Sequence, residues 1–175
     1  MSQRILFQRI LDGATSLAVL AVCVLILAQA VRSSNALPAP AVGNPTPPAR
    51  IAAGDRLEPI AGVDLTASPR TLVMAIQSSC HFCSESMAFY TELSRRKGAS
   101  TRLVVVAPDD PATAKQYVTS HGFSPDAIAT SDLPGMKVAG TPTLLLVNPS
   151  GVIERVWMGK LTAAREKEVL AEVAR

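Results

Sequence analysis

The chain has 175 residues, room for one domain with appendages, and a net charge of +3 from 17 basic and 14 acidic side chains. Arg4, Arg9, Arg32 and Arg50 against Asp12 account for all of that excess, and residues 51–175 carry 13 basic and 13 acidic groups. The part able to fold is therefore electroneutral and has no basic footprint for nucleic acid.

Residues 1–13 read as a short cytoplasmic stub carrying Arg4 and Arg9. Residues 14–32 read as a transmembrane anchor. The 18 residues Ala14–Val31 contain no charge and are interrupted only by Thr15, Ser16 and Gln29. A helix of that length reaches about 27 Å, close to the thickness of a bilayer's hydrocarbon core. Arginines ahead of the span favour an inside N-terminus and an exported C-terminal domain. A cleaved signal peptide is the competing reading, with Ala28-Gln29-Ala30 and Ser34-Asn35-Ala36 as small-x-small sites. The run is long for a signal peptide, which favours the anchor. Cys23 lies inside it and reads as a small hydrophobe rather than a lipid-attachment site. Residues 33–50, with Pro38, Pro40, Pro45, Pro47 and Pro48, read as a semi-extended spacer of at most about 55 Å.

Residues 51–175 have the texture of a folded domain. Leu57–Ile60 and Val63–Leu65 are expected as short edge strands around Ala61-Gly62, and Arg70–Gln77 as a buried central strand. Ser84–Lys97 is expected as a helix with Gly98 as a left-handed cap. Thr101–Ala107 is a second buried strand. Asp110 and Pro111 open a helix that runs to about His121 and stops at Gly122. Thr143–Val147 is a third buried strand, Asn148-Pro149-Ser150-Gly151 a turn, and Val152–Met158 a fourth strand. Thr162 caps a last helix to Arg175. The alternation predicts an α/β sheet with helices on both faces.

The chemistry centres on Ser78-Ser79-Cys80-His81-Phe82-Cys83-Ser84. Two cysteines two residues apart follow a buried strand, with Cys80 at or next to a helix N-terminus. Unpaired N–H groups and the helix dipole favour a thiolate there, and the thiolate is the nucleophile. The same spacing is half of a zinc site, but zinc needs four ligands, or three and water. Only Cys23, His81 and His121 remain to complete one. A copper-binding module built on the two cysteines and a histidine and a purely structural disulfide stay open as alternatives. The Pro-x-x-x-Thr/Ser-x-x-Cys frame of a thiol peroxidase is absent, since Val73 stands seven residues before Cys80. Gly140-Thr141-Pro142-Thr143-Leu144 is the second informative stretch, because a proline just before a buried strand marks the strand's entry.

A CxxC at a strand–helix junction, then strand, helix, Thr-Pro, strand, turn, strand and helix resembles the thioredoxin fold. More narrowly, residues 51–175 resemble membrane-tethered thiol–disulfide oxidoreductases of the TlpA/ResA kind. The resemblance implies a central mixed sheet flanked by helices and a single-pass protein of the bacterial inner membrane, its catalytic domain on the periplasmic side. It implies that Cys80 attacks and Cys83 resolves, that Pro142 is cis and faces the cysteine pair, and that Thr141 presents backbone to the substrate. No cofactor is implied beyond the Cys80–Cys83 disulfide. The partners are protein thiols and disulfides, with a membrane electron donor, and the direction is that of a disulfide reductase, a dithiol oxidant being the alternative. The sequence departs from the pattern in three places: Met74 stands where many thioredoxins bury an acid, no Trp precedes Cys80, and neither residue between the cysteines is Pro. His81, Phe82 and Glu85 remain as candidates for tuning the pair. His81 either lowers the Cys80 pKa as an imidazolium or is an exposed loop residue. Glu85 reads as a solvated acid in the first helical turn. His121 reads as a helix-terminal residue, and Phe123 and Trp157 as packing.

Overall fold

The structure, a computed structural model, describes residues 22–29 and 50–175. Residues 22–29 are helical with exposed side chains, Cys23 among them as a free thiol. The rest of the expected anchor and all of the spacer except Arg50 lie outside the described residues. Among those described, no helix is long and apolar enough to cross a membrane.

Within residues 50–175 the five strands are β1 (Arg70–Ala75), β2 (Thr101–Ala107), β3 (Ala127–Thr130), β4 (Thr143–Val147) and β5 (Ile153–Met158), arranged in the order β3-β2-β1-β4-β5. β1, β2 and β3 run parallel, whereas β4 and β5 are antiparallel to their neighbours. The helices are α1 (His81–Glu85), α2 (Met87–Arg96), α3 (Pro111–Ser120) and α4 (Ala163–Val173). Thr71–Ala75 of β1 and all five residues of β4 are buried, as the continuous apolar runs of central strands require.

The expectation of helices on both faces is overturned. One buried cluster joins Leu72, Met74, Leu103, Val105, Leu144 and Leu146 to Tyr90 and Leu93 of α2, Val118 of α3, and Val169 and Val173 of α4. The opposite cluster joins Val73, Ala75, Val104, Val106, Leu145 and Val147 to Ile51, Leu57, Ile60, Leu133, Met136 and Val138, and takes no residue from any of the four helices. The strand order explains this. Both parallel connections step outward in the same direction, so two right-handed crossovers put α2 and α3 on the same face. Turns and irregular chain, from Ile51 to Ile60 and from Leu133 to Val138, cover the other.

Four smaller expectations also change. Leu57–Ile60 makes no strand, because Pro59 has no N–H for a ladder; only the isolated bridge Arg56–Val152 forms nearby. Val63–Leu65 gives way to a 3₁₀ turn at Leu65–Ala67, since the Asp64 carboxylate accepts from the Thr66 N–H at 2.8 Å and the Thr66 hydroxyl at 2.7 Å. The single helix expected over Ser84–Lys97 begins earlier and is broken at Ser86, whose hydroxyl donates back to the Phe82 carbonyl at 2.8 Å. Gly98 is not a left-handed cap. Its N–H donates to the Val173 carbonyl at 2.8 Å, and a Cβ there would lie 3.0 Å from the Ala174 oxygen, so glycine serves close approach of two helix ends. β3 was not expected at all; Ala127-Ile128-Ala129-Thr130 is only four residues long and half alanine, a residue depleted in strands. Phe123 and Trp157 are buried in the helix-covered core, as read from the sequence.

Leu145, fully buried in β4 between β1 and β5, tests this arrangement. Leu145→Ala is expected to lower stability in urea unfolding by about 2–5 kcal/mol, the range for an apolar cavity opened in a core.

Candidate active site

β1 delivers its chain directly into the cysteine loop. Beyond Ala75, the Ile76 N–H still donates to the Val106 carbonyl of β2 at 3.0 Å, and the Cys80 N–H closes a turn onto the Gln77 carbonyl at 3.0 Å. Cys80 is extended (φ −84°, ψ 112°) and is the N-cap of α1, with its sulfur accepting from the Cys83 N–H at 3.3 Å. The Cys80 carbonyl accepts from the Cys83 N–H at 3.1 Å and the Ser84 N–H at 3.2 Å. α1 is only five residues long, so the thiolate-favouring groups are these local donors rather than the dipole of a long helix.

The two thiols sit in different environments. Cys80 is partly exposed; Cys83 is completely buried, in the same cluster as Met74, Tyr90 and Leu144. Burial alone would raise the Cys80 thiol, but hydrogen bonds from the Cys83 thiol, the Thr141 side chain, and the Cys83 and Phe82 backbone outweigh it and hold the thiol below its ordinary value. Burial, then donation to the Cys80 sulfur, pushes the Cys83 thiol up to about 12. The outward-facing sulfur is thus the more acidic of the two, and the one beneath it is kept a thiol.

The second wall comes from β4. Thr143 pairs with Ala75 on one side and Met158 on the other, which brings the residues before it against the cysteine loop. The Thr141–Pro142 bond is cis. The Thr141 carbonyl accepts from the Cys80 thiol at 3.3 Å, and the Pro142 carbonyl accepts from the Gly159 N–H at 2.7 Å. Thr143 fixes the approach to the loop by donating its hydroxyl to the Gly140 carbonyl at 2.7 Å.

The three tuning candidates are placed differently from one another. His81 is on α1 and mostly exposed; its Nε2 lies 3.3 Å from a Glu85 carboxylate oxygen. Glu85 is held by Lys160, just past β5, at 3.0 Å, and that hydrogen bond is the main cause of its carboxyl lying below the usual range. His81 and Glu85 therefore form a surface pair turned to Lys160. Phe82 is 53% exposed and Met158 42%, and they are the exposed large apolar side chains within residues 50–175. Both flank the cysteine–proline junction, one inside the CxxC and one opposite Thr143. His121 lies apart, at the end of α3, packed edge-on against Tyr117.

Sequence reading missed a polar bracket on the β2 side. Asp109 accepts from the Ser78 N–H at 3.0 Å and from the Ser78 hydroxyl at 2.6 Å, two residues before Cys80. Ser84, next to Cys83, shares a 2.9 Å hydrogen bond with the Tyr117 phenol of α3. The signal for Asp109 was present: it follows a buried strand parallel to the one before Cys80, and groups at the carboxyl ends of neighbouring parallel strands meet. Lys160 and Met158 carried no comparable signal.

No family model matches the chain, and no curated protein matches it. Solved structures do. The thioredoxin domain of a thiol–disulfide oxidoreductase from Bacteroides vulgatus is 15% identical with a TM-score of 0.54, over 71% of this chain and 99% of the other. A thiol:disulfide interchange protein from Bacteroides sp. is 15% identical with a TM-score of 0.55, over 71% and 92%. A thiol–disulfide isomerase from Corynebacterium glutamicum is 17% identical with a TM-score of 0.51, over 73% and 96%. The chain shares the thioredoxin-like fold of these proteins.

The two thiols are expected to separate on alkylation. Only thiolate reacts, so the rate rises as pH climbs through each pKa. Cys80 should reach half its plateau rate with iodoacetamide at a lower pH than the same cysteine in the urea-unfolded chain. Cys83 should stay unlabelled until near pH 12 or until unfolding. Equal labelling of both in the folded protein would contradict the geometry.

Proposed function

We propose that the chain is a thiol–disulfide oxidoreductase that acts on exported proteins as a disulfide reductase. The observation that carries this is the division of labour at one junction: a partly exposed Cys80 sulfur, hydrogen-bonded to the Cys83 N–H and the Thr141 carbonyl, above a fully buried Cys83. Cys80 thiolate attacks a substrate disulfide, one substrate sulfur leaves, and a mixed disulfide forms. Cys83 then attacks the Cys80 sulfur, the Cys80–Cys83 disulfide closes, and the second substrate sulfur leaves reduced. Phe82 and Met158 offer apolar contact to the substrate chain, and Thr141 offers it backbone. The solved neighbours are thiol–disulfide proteins by name, which supports the same class of reaction.

The reducing direction rests on how modestly the thiolate is favoured. Stabilising the reduced form makes a cysteine pair a stronger oxidant. Here α1 is short and His81 makes its contact with Glu85, leaving a few hydrogen bonds as the stabilising groups. A couple of roughly −180 to −270 mV follows, between protein disulfide isomerase and thioredoxin. A membrane electron donor would return the pair to dithiol, and the apolar run at 14–32 supports placement on the outer side of the bacterial inner membrane. A metal-binding role has no observation in its favour, since His81 turns to Glu85 and His121 lies on another helix.

Substitution tests the roles. Cys83→Ser should accumulate mixed disulfides with partner proteins, visible as reductant-sensitive high-mass bands, and Cys80→Ser should accumulate few. Equal trapping by the two variants would refute the assignment. Titration against dithiothreitol should place the couple in the range given. A value near about −120 mV, with fast oxidation of reduced substrates, would make the protein an oxidant instead. Full-length protein should stay with membranes through an alkaline wash; release as a soluble fragment beginning near residue 31 would mean the segment is cleaved.

A further inference from the structure

The resolving step leaves a proton unaccounted for. Cys83 is fully buried and its thiol is raised to about 12, so it must lose a proton before it can attack the Cys80 sulfur. Met74, also fully buried, shares its cluster and has nothing to accept one. Glu85 is exposed on α1 and engaged with Lys160 and His81. Tyr90 is buried, and burial drives its phenol well above its ordinary range.

One polar group that remains is half-buried Tyr117. Its phenol shares a 2.9 Å hydrogen bond with the Ser84 hydroxyl, and Ser84 directly follows Cys83 on α1. Ser84 Oγ in turn lies 3.5 Å from the Cys80 carbonyl oxygen, which ties the hydroxyl pair to the first turn of α1. The groups facing Tyr117 are Cys83, Cys80 and Asp109, each of which raises its phenol when ionised, after burial does, and His121, whose ring lies 4.9 Å away. Asp109 is anchored by its two hydrogen bonds to Ser78, on the same side of the cysteine loop. We propose that Tyr117, acting with Ser84 and faced by Asp109, is a positioning residue for the resolving step: the hydroxyl pair orders the route by which the Cys83 proton leaves. This rests on the oxidoreductase reading above.

The step balances without another reagent. The Cys83 thiol releases its proton toward the hydroxyl pair and solvent. Its sulfur bonds to the Cys80 sulfur, the bond from Cys80 to the substrate sulfur breaks, and the electron pair leaves with that sulfur, which is reduced as the two cysteines are oxidised.

Reaction of the reduced full-length protein with the aryl disulfide 5,5′-dithiobis(2-nitrobenzoate) separates the two steps in one absorbance trace. The first thionitrobenzoate released reports attack by Cys80, and the second reports displacement by Cys83. Tyr117→Phe keeps the ring packed on His121 and removes the hydroxyl; Ser84→Ala removes its partner independently. Both variants are expected to leave the first phase within about twofold of the parent and slow the second on the order of tenfold near neutral pH, less than the hundredfold or more of a group that takes the proton directly. The deficit should shrink as pH rises, because hydroxide replaces the ordered route. A second phase equal to the parent's from pH 6 to 9 in both variants would overturn the proposal, as would equal slowing of both phases, which marks a structural role only. If the parent itself shows no fast first phase, the oxidoreductase reading fails rather than the role of Tyr117.

Discussion

The site depends on the position of β1 between a parallel and an antiparallel neighbour. Parallel pairing with β2 sets Ala75 beside Val106, so the chain leaves both strands at the same end, Cys80 from one and Asp109 from the other. Antiparallel pairing with β4 sets Ala75 beside Thr143, so β4 enters at that end and its preceding Thr141-Pro142 lies against the cysteines. No loop has to reach far. A shift of one residue would invert every side chain of the shifted strand, moving Leu103 and Val105 of β2, or Leu144 and Leu146 of β4, out of the helix-covered core, so the packing that stabilises the domain also fixes the site.

The asymmetry of the sulfurs follows from the same geometry. Cys80 ends the loop and caps α1 from outside, whereas Cys83 sits one turn further on and points into the core beneath it. Burial therefore acts strongly on Cys83, while on Cys80 it is outweighed by donation from the Cys83 thiol, then from Thr141, then from the backbone of the first turn. His81 and Glu85, the titratable groups nearest in sequence, contact each other, and Glu85 pairs with Lys160. Hydrogen bonds, not neighbouring charges, set the environment of the Cys80 sulfur.

What could be read from residues alone was what local chemistry decides. Asp110 accepts from the Ala112 and Thr113 N–H groups at 3.0 Å each with Pro111 behind it, and Thr162 accepts from the Arg165 N–H, so both caps stand where side-chain type placed them. The apolar runs of β1, β2 and β4 were equally plain. Features set by distant partners were not legible. β3 is a strand because β2 has an edge to fill, and Asp126 just before it accepts from the Leu103 N–H at 2.7 Å. Gly98 is glycine because the end of α4 passes over it, not because α2 needs a cap. The CxxC and the Thr-Pro were visible as motifs, but Ser78, Asp109, Ser84 and Tyr117 are ordinary residues until the parallel crossover gathers them.

Met74 connects these points. An acid at that position would sit fully buried among Leu72, Leu144 and Leu146, and an ionised carboxylate without partners there costs several kcal/mol. With Met in its place the core under the cysteines holds no carboxylate, and burial there keeps Cys83 a thiol. Met74 offers no proton acceptor beneath the buried sulfur. Polar groups then remain on the side where α1 meets the β2–α3 connection, and there the chain places two hydroxyls 2.9 Å apart and a carboxylate. A methionine in the core and a tyrosine on α3 thus read as two parts of one arrangement: the core beneath Cys83 holds no carboxylate, and the polar groups beside the pair stand on the half-exposed flank of the site.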